Sequence, residues 1–458
     1  MEDELLEVSV IGGGLAGSEA AWQLASAGFH VYLYEMRPKI QTGAHETGDL
    51  AELICSNSLG SNLLNRASGL LKEEMRWFGS LIVDCANATA IPAGGALAVD
   101  RTGFSHLVTE KIQAHPNITI INEEFKTIPS GPAIIATGPL TSPSFSIALA
   151  ELTGSEFLYF FDAIAPIVTL ESIDLDLAFR ASRYDWENES GGDYINCPFD
   201  RDQYYAFVDS LAHAERIKLA SFDEVSQAGV RAGHGMFFEG CLPVEVLAAR
   251  NEDALSFGPL RPVGMKDPRT GKRPYAILQL RQDNLANTLY NLVGFQTNLT
   301  FSEQKRVFHM IPGLQNAEFV RYGQMHRNTF IHSPTLLNPT LQYKGRPDLF
   351  FAGQIVGVEG YMGNAASGLI AGLNLARHLQ GKEMLELPYT TMIGALLHYI
   401  SHASEDNFQP MKANYGILPT LSDPPRGKRE RGSAYSERAL IDLAATCENM
   451  GINRGRLD

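Results

Sequence analysis

The feature that most constrains the chain is a glycine-rich turn between a short apolar strand and an alanine-rich helix. The segment 8–35 reads VSVIGGGLAGSEAAWQLASAGFHVYLYE, with the spacing Gly12-x-Gly14-x-x-Gly17 and an acid, Glu35, after the second strand. These glycines permit a tight turn, a close approach of backbone amides to a pyrophosphate and close packing of the helix on the strand. The complete strand–helix–strand pattern predicts a Rossmann-like dinucleotide site.

The acid that ends the second strand narrows the choice of dinucleotide. A carboxylate at Glu35 accepts hydrogen bonds from a free ribose, which favours FAD or NAD over NADP. The first amides of the helix face the phosphates, since a helix N-terminus carries partial positive charge. We therefore predict cofactor contacts from Gly12, Gly13, Gly14, Leu15, Ala16, Gly17 and Glu35.

Length and composition describe an ordinary globular chain. With 458 residues, of which 45 % are apolar and 19 % charged, the chain predicts two or three domains. Its acidic start lacks the features of a signal peptide, and we find no run of about 18 apolar residues that could cross a membrane. Five scattered cysteines without a C-x-x-C pair argue against a zinc or disulfide scaffold. We expect no metal site, no membrane partner and a cytoplasmic location, and the oligomeric state stays open.

The charge distribution leaves a nucleic-acid partner undecided. A formal net charge of −15 opposes such a partner by itself. Two basic clusters are local exceptions, and composition alone does not separate phosphate contacts from solvated loop charges. The clusters are Lys266, Arg269, Lys272 and Arg273, followed by Arg281, and Arg426, Lys428, Arg429 and Arg431.

The first part of the chain, residues 1–153, has an α/β pattern. A helical pattern covers 63–78, and another helix is expected to start after Asp100 and Thr102, with helical periodicity over 105–114. A strand at 133–136 leads into a turn that contains Gly138. A short apolar strand that closes on Ala-Thr-Gly is typical of the return to the nucleotide-binding sheet in flavoproteins with two dinucleotide-binding regions. Taken alone, the same letters also describe any strand followed by a turn.

The remaining chain divides into two parts. Residues 154–328 are richer in aromatic and turn residues, which predicts an inserted mixed α+β domain. Residues 329–458 return to a strand, the pair Gly353-Gln354 and a small-residue helix from Asn364, a pattern typical of the second half of an FAD site. We predict an α/β fold in which a Rossmann-like FAD-binding domain is split by the insertion.

Two cysteines lie in settings that favour reactivity. Cys55 is followed by capping and turn residues, and Cys241 precedes a helix-like run. A helix N-terminus stabilises a nearby thiolate. Burial as a small apolar side chain is the alternative for both, and it is the interpretation that we keep for Cys85, Cys197 and Cys447.

Many ordered matches make the chain resemble the folate- and FAD-dependent tRNA uridine-5-methyltransferases, relatives of flavoproteins that modify the tRNA wobble uridine. The resemblance runs nearly from end to end. The matching segments are IGGGLAGSEAAW at 11–22, YEMRP at 34–38, ELICSNSL at 52–59, LKEEM at 71–75, PAGGALAVDR at 92–101, FEGCLPVE at 238–245, GPLRPVG at 258–264, GQIVGVEGY at 353–361 and FQPMKANYG at 408–416.

The resemblance implies a methyl transfer to carbon 5 of a uridine in the T-loop of tRNA. Methylenetetrahydrofolate would supply the carbon, reduced FAD the electrons, and NADH or NADPH would recharge the flavin. A thiolate is suited to add at carbon 6 of the uracil and to leave afterwards. This addition makes carbon 5 nucleophilic, as the transfer of a one-carbon group to it requires. The uridine must also be extruded from its stack.

By the same resemblance the two functional cysteines are Cys241, as the nucleophile at carbon 6, and Cys55, as an assisting thiol beside the flavin, although these roles could be reversed. Tyr361 is expected to stack against the flavin or the target base, and the basic clusters to contact phosphates of the tRNA. The resemblance adds cofactor contacts from Arg37, Gly138, Gly353, Gln354, Asn364, Ala365 and Ala366.

Other functions remain open at this point. A sister branch of the same family methylates ribosomal RNA. A wobble-uridine flavoprotein would need a long C-terminal extension, and the chain has only about 100 residues after the second glycine-rich turn. A pyridine-nucleotide disulfide reductase would need two closely spaced cysteines. A flavin-bound RNA-binding scaffold without catalysis is the non-enzymatic alternative.

Overall fold

The structure is a computed structural model, and its first part is organised around a parallel sheet. It describes residues 7–42, 44–154, 158–183, 192–217, 230–231, 242–323, 325–405 and 408–455. Up to residue 154 the elements are β1 (Glu7–Ile11), α1 (Leu15–Ser26), β2 (His30–Tyr34), β3 (Ser58–Ser61), α2 (Ala67–Trp77), α3 (Leu81–Ala88), β4 (Ala90–Ile91), β5 (Ala96–Val99), α4 (Arg101–Ala114), β6 (Ile118–Ile121), β7 (Ala133–Ile135) and α5 (Pro143–Thr153).

The middle part of the chain is built mainly from short strands in a second, largely antiparallel sheet. Its elements are β8 (Leu158–Ala163), β9 (Ile167–Thr169), β10 (Phe179–Arg180), β11 (Tyr194–Phe199), α6 (Arg201–Ala212), β12 (Val230–Arg231), α7 (Val244–Arg250), α8 (Ala254–Phe257), β13 (Ala276–Gln282), β14 (Leu289–Leu292), α9 (Phe301–Phe308), β15 (Phe319–Arg321) and β16 (Met325–Phe330).

The last part returns to the first sheet and is otherwise helical. Its elements are α10 (Ser333–Leu336), β17 (Leu349–Phe351), α11 (Tyr361–Leu379), α12 (Met392–His402) and α13 (Lys428–Asn449).

The first sheet has the order β17-β7-β1-β2-β6, and each neighbouring pair is parallel. Its central strand carries buried Val8 and Val10 on one face and buried Ile11 on the other, which suits a strand covered on both faces. This arrangement confirms the predicted α/β, Rossmann-like fold. Because β17 pairs beside β7, the last part of the chain completes the sheet that the first part begins.

The second sheet has the order β10-β11-β13-β14-β9-β15, and all of its pairs are antiparallel. A smaller sheet, β12-β8-β16, lies at the connection between the two parts, and β3-β5-β4 forms another. Buried apolar side chains between 8 and 149 and between 330 and 447 form one core, whereas those between 168 and 317 form another.

One predicted helix start is displaced and another is confirmed. The helix expected over 63–78 begins at Ala67, and Leu63 and Leu64 before it are exposed. The helix expected after Asp100 and Thr102 begins at Arg101, where Asp100 accepts a hydrogen bond from the amide of Gly103 at 2.6 Å. An aspartate N-cap satisfies an amide that the helix itself leaves without an acceptor. Among the helices that the structure describes, none has both the length and the apolar character that a membrane crossing needs.

A buried lysine fastens α2 to the strand that precedes it. The ammonium group of Lys72 donates to the carbonyls of Leu59 at 2.9 Å and Ser61 at 2.8 Å. Burial, with a smaller contribution from the charge of Arg76, lowers the pKa of Lys72 from 10.5 to about 7. The folded protein therefore holds this side chain partly neutral near neutral pH.

We expect Lys72→Met to remove a pH dependence of stability. Between pH 7 and pH 10.5 the unfolded chain keeps the Lys72 proton that the folded chain has lost, so the wild-type free energy of unfolding rises with pH. Relative to Lys72→Met, the wild-type free energy of unfolding should rise by roughly 4 kcal/mol across this range. Urea unfolding at pH 7 and in steps up to pH 10.5 measures it, with the exposed Lys39→Met as the control. A difference that is constant with pH would contradict the buried titration.

Candidate functional site

One cavity of about 500 Å³ is lined by both the glycine-rich turn and Cys55. Such a volume lies within the usual range of cofactor and ligand pockets. Its wall includes the turn, Glu35 and the 137–142 segment, and also Cys55, Ser56 and Tyr361. The other ionisable side chains along its wall are Tyr34, Arg37, His45, Glu52, Glu123, Glu124, Glu359 and Lys412.

The first glycine turn has the geometry that the sequence predicts. Gly12 adopts φ +106°, a left-handed conformation in which glycine is favoured, and its amide donates to the carbonyl of Tyr34 at 2.8 Å. A Cβ on Gly17 would lie 1.7 Å from the carbonyl oxygen of Gly12. The helix can therefore approach the strand only because position 17 has no side chain.

The start of α1 offers its backbone to the cavity. Gly14 is the N-cap of the helix, and no side chain in the described part of the chain caps it. A Cβ on Gly14 would meet nothing within 4 Å. Since the first amides of a helix carry partial positive charge, this open space fits a phosphate.

Glu35 is held in place by two groups besides any ligand. Its carboxylate accepts from the amide of Gly13 at 3.0 Å and from Nε of Arg37 at 3.0 Å. Arg37 also pairs with Glu52 at 3.1 Å. Burial opposes ionisation of Glu35, but the hydrogen bonds and charge of Arg37 outweigh it and lower the pKa of Glu35. Glu35 therefore stays an acceptor at neutral pH, as ribose binding requires.

The second glycine turn meets the first through helix packing. A Cβ on Gly368 of α11 would lie 2.1 Å from the carbonyl oxygen of Ala16 in α1. At the cavity, Gly353 adopts φ +85°, and the buried Oδ1 of Asn364 has no hydrogen-bond partner among the residues described. The helix that was predicted from Asn364 begins earlier, at Tyr361.

These features fit a bound dinucleotide. The buried Oδ1 of Asn364 and the first amides of α1 and α11 are polar groups that a ligand in the cavity can hydrogen-bond. All of the predicted cofactor residues lie in or directly beside this cavity. Gly12, Gly13, Gly14, Leu15, Ala16, Glu35, Arg37, Gly138, Gly353, Gln354 and Asn364 line it, while Gly17, Ala365 and Ala366 lie in the helices behind it.

Cys55 and Tyr361 contact each other on the cavity wall. The hydroxyl oxygen of Tyr361 accepts from the amide of Cys55 at 2.7 Å and from the amide of Ser56 at 3.1 Å. Burial, and then the neighbouring Cys55, raise the pKa of Tyr361 far above its usual value. The phenol therefore stays protonated at neutral pH and is poorly suited to act as a base.

The predicted RNA-binding residues fall into two groups in the structure. Lys266, Lys272, Arg273, Arg426, Lys428 and Arg429 are exposed. Arg269 is also exposed but pairs with Asp267 at 2.8 Å. Arg281 is only 7 % exposed, which contradicts its predicted role as a surface phosphate contact. It hydrogen-bonds Ser56 beside the cavity.

The cysteines also fall into separate groups. Cys241, the predicted nucleophile, lies outside the described residues. Cys85, Cys197 and Cys447 are fully buried, as expected, and burial raises the pKa of each thiol, to about 11 for Cys85 and Cys447. Cys55 is half-buried on the cavity wall.

Several polar residues at the site were not predicted. Arg101 and Lys412 lie inside segments that carry the family resemblance, so the segments 92–101 and 408–416 could have indicated them. Gln296, which also lines the cavity, follows an ordinary turn and gives no such signal.

Gly14→Ala and Gly17→Ala should separate cofactor binding from folding. The methyl group of Gly14→Ala occupies only cavity space, so we expect the apoprotein to keep its thermal stability while dinucleotide affinity falls roughly tenfold or more. Gly17→Ala forces a backbone clash and should destabilise the apoprotein itself. Thermal unfolding with and without cofactor measures both. Full cofactor retention by Gly14→Ala would contradict phosphate binding at this turn.

Tyr361→Phe should loosen the segment that carries Cys55. Loss of the hydroxyl leaves the amides of Cys55 and Ser56 without their acceptor, at a cost of about 1–3 kcal/mol. Hydrogen exchange of the peptide that contains these amides should accelerate. Tyr343→Phe, whose hydroxyl donates to the carbonyl of Leu152 at 2.9 Å, is the matched control. Unchanged exchange in Tyr361→Phe would exclude this hydroxyl as the support of the segment.

A family model and several named relatives match the chain. The model described as glucose inhibited division protein A matches residues 7–383. A protein of Listeria monocytogenes named methylenetetrahydrofolate–tRNA-(uracil-5-)-methyltransferase TrmFO is 54 % identical over 443 residues, which cover 97 % of this chain and 99 % of that protein. A protein of the same name from Desulforamulus reducens is 57 % identical over 434 residues, or 94 % of this chain and 96 % of that protein.

Solved structures share the fold. GidA of Aquifex aeolicus, in its form II crystal, has a TM-score of 0.69 and 17 % identity, and the match covers 98 % of this chain and 74 % of that chain. At this identity the likeness shows the fold alone. The family model and the two relatives, which match nearly the whole chain, confirm the resemblance found in the sequence. The chain belongs to the glucose inhibited division protein A family, within its TrmFO branch.

Proposed function

We propose that the protein methylates carbon 5 of a T-loop uridine in tRNA, with methylenetetrahydrofolate as the carbon donor. The observation that carries the proposal is that Cys55 and Tyr361 line the same cavity as the dinucleotide turn. A reactive sulfur next to a cofactor ring suits this chemistry. The shared name of relatives that are more than half identical also supports this reaction.

FAD is the dinucleotide that we assign to the cavity. Its ribose would bind Glu35, its phosphates the amides around Gly14, and its ring end the region of Asn364 and Tyr361. When bound, FAD supplies the electrons that convert a methylene group to a methyl group, and NADH or NADPH supplies them to FAD. Per methyl group formed, one NAD(P)H is oxidised, one methylenetetrahydrofolate becomes tetrahydrofolate, and the uridine exchanges its carbon-5 proton for the methyl group.

The chain's own groups would prepare the uridine. Cys241 is the proposed nucleophile that adds to carbon 6, and the sulfur leaves again when carbon 5 loses its proton. Cys55 assists next to the cofactor, and the reverse assignment is the alternative. Tyr361, which stays protonated, would position the Cys55 segment and present its ring to the cofactor or the base.

Exposed basic side chains support an RNA partner. Lys266, Lys272 and Arg273 form one surface cluster and Arg426, Lys428 and Arg429 another, and both could contact phosphates of the T-arm despite the net charge of −15. Arg269 would contribute less, since Asp267 already pairs with it. A tRNA substrate places the reaction in the cytoplasm.

We also propose that the chain divides as predicted, into residues 1–153, 154–328 and 329–458. The core shared by 8–149 and 330–447 supports a split cofactor domain, and the separate core of 168–317 supports an insertion. In this arrangement the insertion supplies the substrate side of the site, including Cys241.

The test is incubation of purified protein with an unmodified tRNA transcript, labelled methylenetetrahydrofolate and NAD(P)H. We expect label in 5-methyluridine at the T-loop, and none when that uridine is replaced by cytidine. Label from S-adenosylmethionine, or independence from folate, would refute the proposal. Ribosomal RNA as the sole acceptor, or a modified wobble uridine, would favour the related enzymes instead.

Cys241→Ala distinguishes an enzyme from a binding scaffold. We expect it to abolish methyl transfer and to retain tRNA binding, since a thiol is required only for addition to the uracil. Gel-shift and turnover assays on the same preparation measure both. Turnover at the wild-type rate would be incompatible with the assigned nucleophile.

A further inference from the structure

The segment that carries Cys55 is held by the buried Arg281 and the partly buried Arg101 as well as by Tyr361. Arg281 donates from Nη2 to Oγ of Ser56 at 2.6 Å and from Nε to Oδ1 of Asn57 at 2.9 Å. Arg101 donates from Nη1 to the carbonyl of Leu53. The segment 53–57 thus has hydrogen bonds to guanidinium groups on both sides of the cysteine, and we call it the Cys55 segment.

One carboxylate joins the two halves of this arrangement. Asp283, which is 3 % exposed, accepts from Arg101 at 3.1 Å through Nε and at 2.9 Å through Nη2. The side-chain amide of Asn57 donates to the carbonyl of Gln282 at 2.8 Å. Arg281 and Gln282 end β13 in the second sheet, whereas Arg101 begins α4 beside the first sheet. Both parts of the chain therefore hold the Cys55 segment.

Two guanidinium groups act electrostatically on the thiol of Cys55, since Cys55 interacts with both Arg101 and Arg281. Burial lowers the pKa of Arg281, while Asp283 outweighs burial at Arg101 and raises its pKa. Guanidinium groups remain protonated under all ordinary conditions. Arg321, whose pKa burial lowers, interacts with Arg101 and Tyr361, and its partner Glu46 is exposed. The other charged or ionisable groups that line the cavity are Tyr34, Glu35, Arg37, His45, Glu52, Glu123, Glu124, Glu359, Tyr361 and Lys412, and Asp283 and Glu46 pair with Arg101 and Arg321.

We propose that Arg281, together with Arg101, is a positioning residue for Cys55: the two guanidinium groups fix the Cys55 segment, direct its thiol to the cavity and favour the thiolate. Their roles in methyl transfer rest on the proposed function. Because Arg281 belongs to the second sheet, the reactivity of Cys55 depends on how that sheet docks against the cofactor domain.

The geometry favours this role over simple cross-linking of the two sheets. Arg101 and Asp283 already make a two-point ion pair between the parts of the chain. Arg281 instead donates hydrogen bonds to the side chains of Ser56 and Asn57, the two residues that directly follow the cysteine. A planar guanidinium holds its donors at a fixed spacing, so it can bond two such acceptors in one defined geometry. The ammonium group of a lysine rotates and does not impose that geometry.

The test compares Arg281→Met and Arg281→Lys in the full-length holoprotein. Alkylation of Cys55 by iodoacetamide, followed by mass spectrometry of its peptide, gives a rate at each pH without any need for turnover. Arg180→Met is the matched control, because Arg180 lies in the same sheet and donates to the hydroxyl of Tyr290 at 2.9 Å. Arg101→Lys tests the second guanidinium.

We expect Arg281→Met to move the midpoint of the pH–rate curve upward by about one unit, because an opposite charge near a thiolate favours it. Arg281→Lys should restore most of that shift but not the methyl-transfer kcat, since charge is kept and the two-point geometry is lost. The KM for tRNA should change little in both variants. Arg180→Met should match wild type throughout.

Two results would overturn the proposal. One is a Cys55 pH–rate curve in Arg281→Met that coincides with those of wild type and Arg180→Met. The other is faster labelling of the fully buried Cys85, Cys197 and Cys447, which would mean that Arg281 supports the fold as a whole. A wild-type protein that lacks methyl transfer would refute the proposed function alone, because the alkylation curves still measure the positioning.

Discussion

Close contact between two helices, made possible because α11 has a glycine where it crosses α1, determines where the site lies. Helix α1 approaches its own strand through Gly17 and approaches α11 through Ala16, which faces Gly368. A single added Cβ at Gly17 or Gly368 would lie about 2 Å from a carbonyl oxygen, a distance that no packing adjustment of a side chain can relieve. The two helices therefore start at the same cavity, and their partial positive charges act on the same ligand.

A second constraint connects this cavity to the remainder of the chain. The Cys55 segment is held by hydrogen bonds to Tyr361, Arg101 and Arg281. These three residues come from α11, α4 and β13, so the last, first and middle parts of the chain all contribute. Buried hydrogen bonds to charged groups are among the stronger ones, and leaving a partner unsatisfied is costly. The cysteine is consequently presented by the whole fold rather than by a local motif.

Local features of the site were predictable from the sequence. The turn at Gly12, Gly14 and Gly17 and the acid at Glu35 lie within one short unit, and the chemistry of each position follows from backbone geometry. The start of α4 was also predictable, because Asp100 is a good N-cap directly before the helix. The start of α2 was not, since Leu63 and Leu64 extend the helical pattern beyond the helix itself, which begins at Ala67.

Contacts between distant residues were not predictable in this way. Arg281 and Ser56 are 225 positions apart, and an arginine that follows a basic cluster reads equally well as a surface cation. Two buried carboxylates likewise make contacts that the sequence does not predict. Glu19 accepts from the amide of Ile82 at 2.9 Å, and Glu74 accepts from the amide of Met392 at 2.7 Å. Each carboxylate therefore caps a helix that is remote in sequence. Periodicity cannot report such pairings, since they depend on which elements the fold brings together.

The central claim is that Cys55 and the dinucleotide turn share one continuous cavity. A crystal structure of the protein with FAD bound tests it most directly. The account predicts phosphates at the amides of α1 and the flavin ring in van der Waals contact, about 4 Å, with the sulfur of Cys55 or the ring of Tyr361. A flavin ring that points away from both residues, with protein side chains packed between, would contradict it.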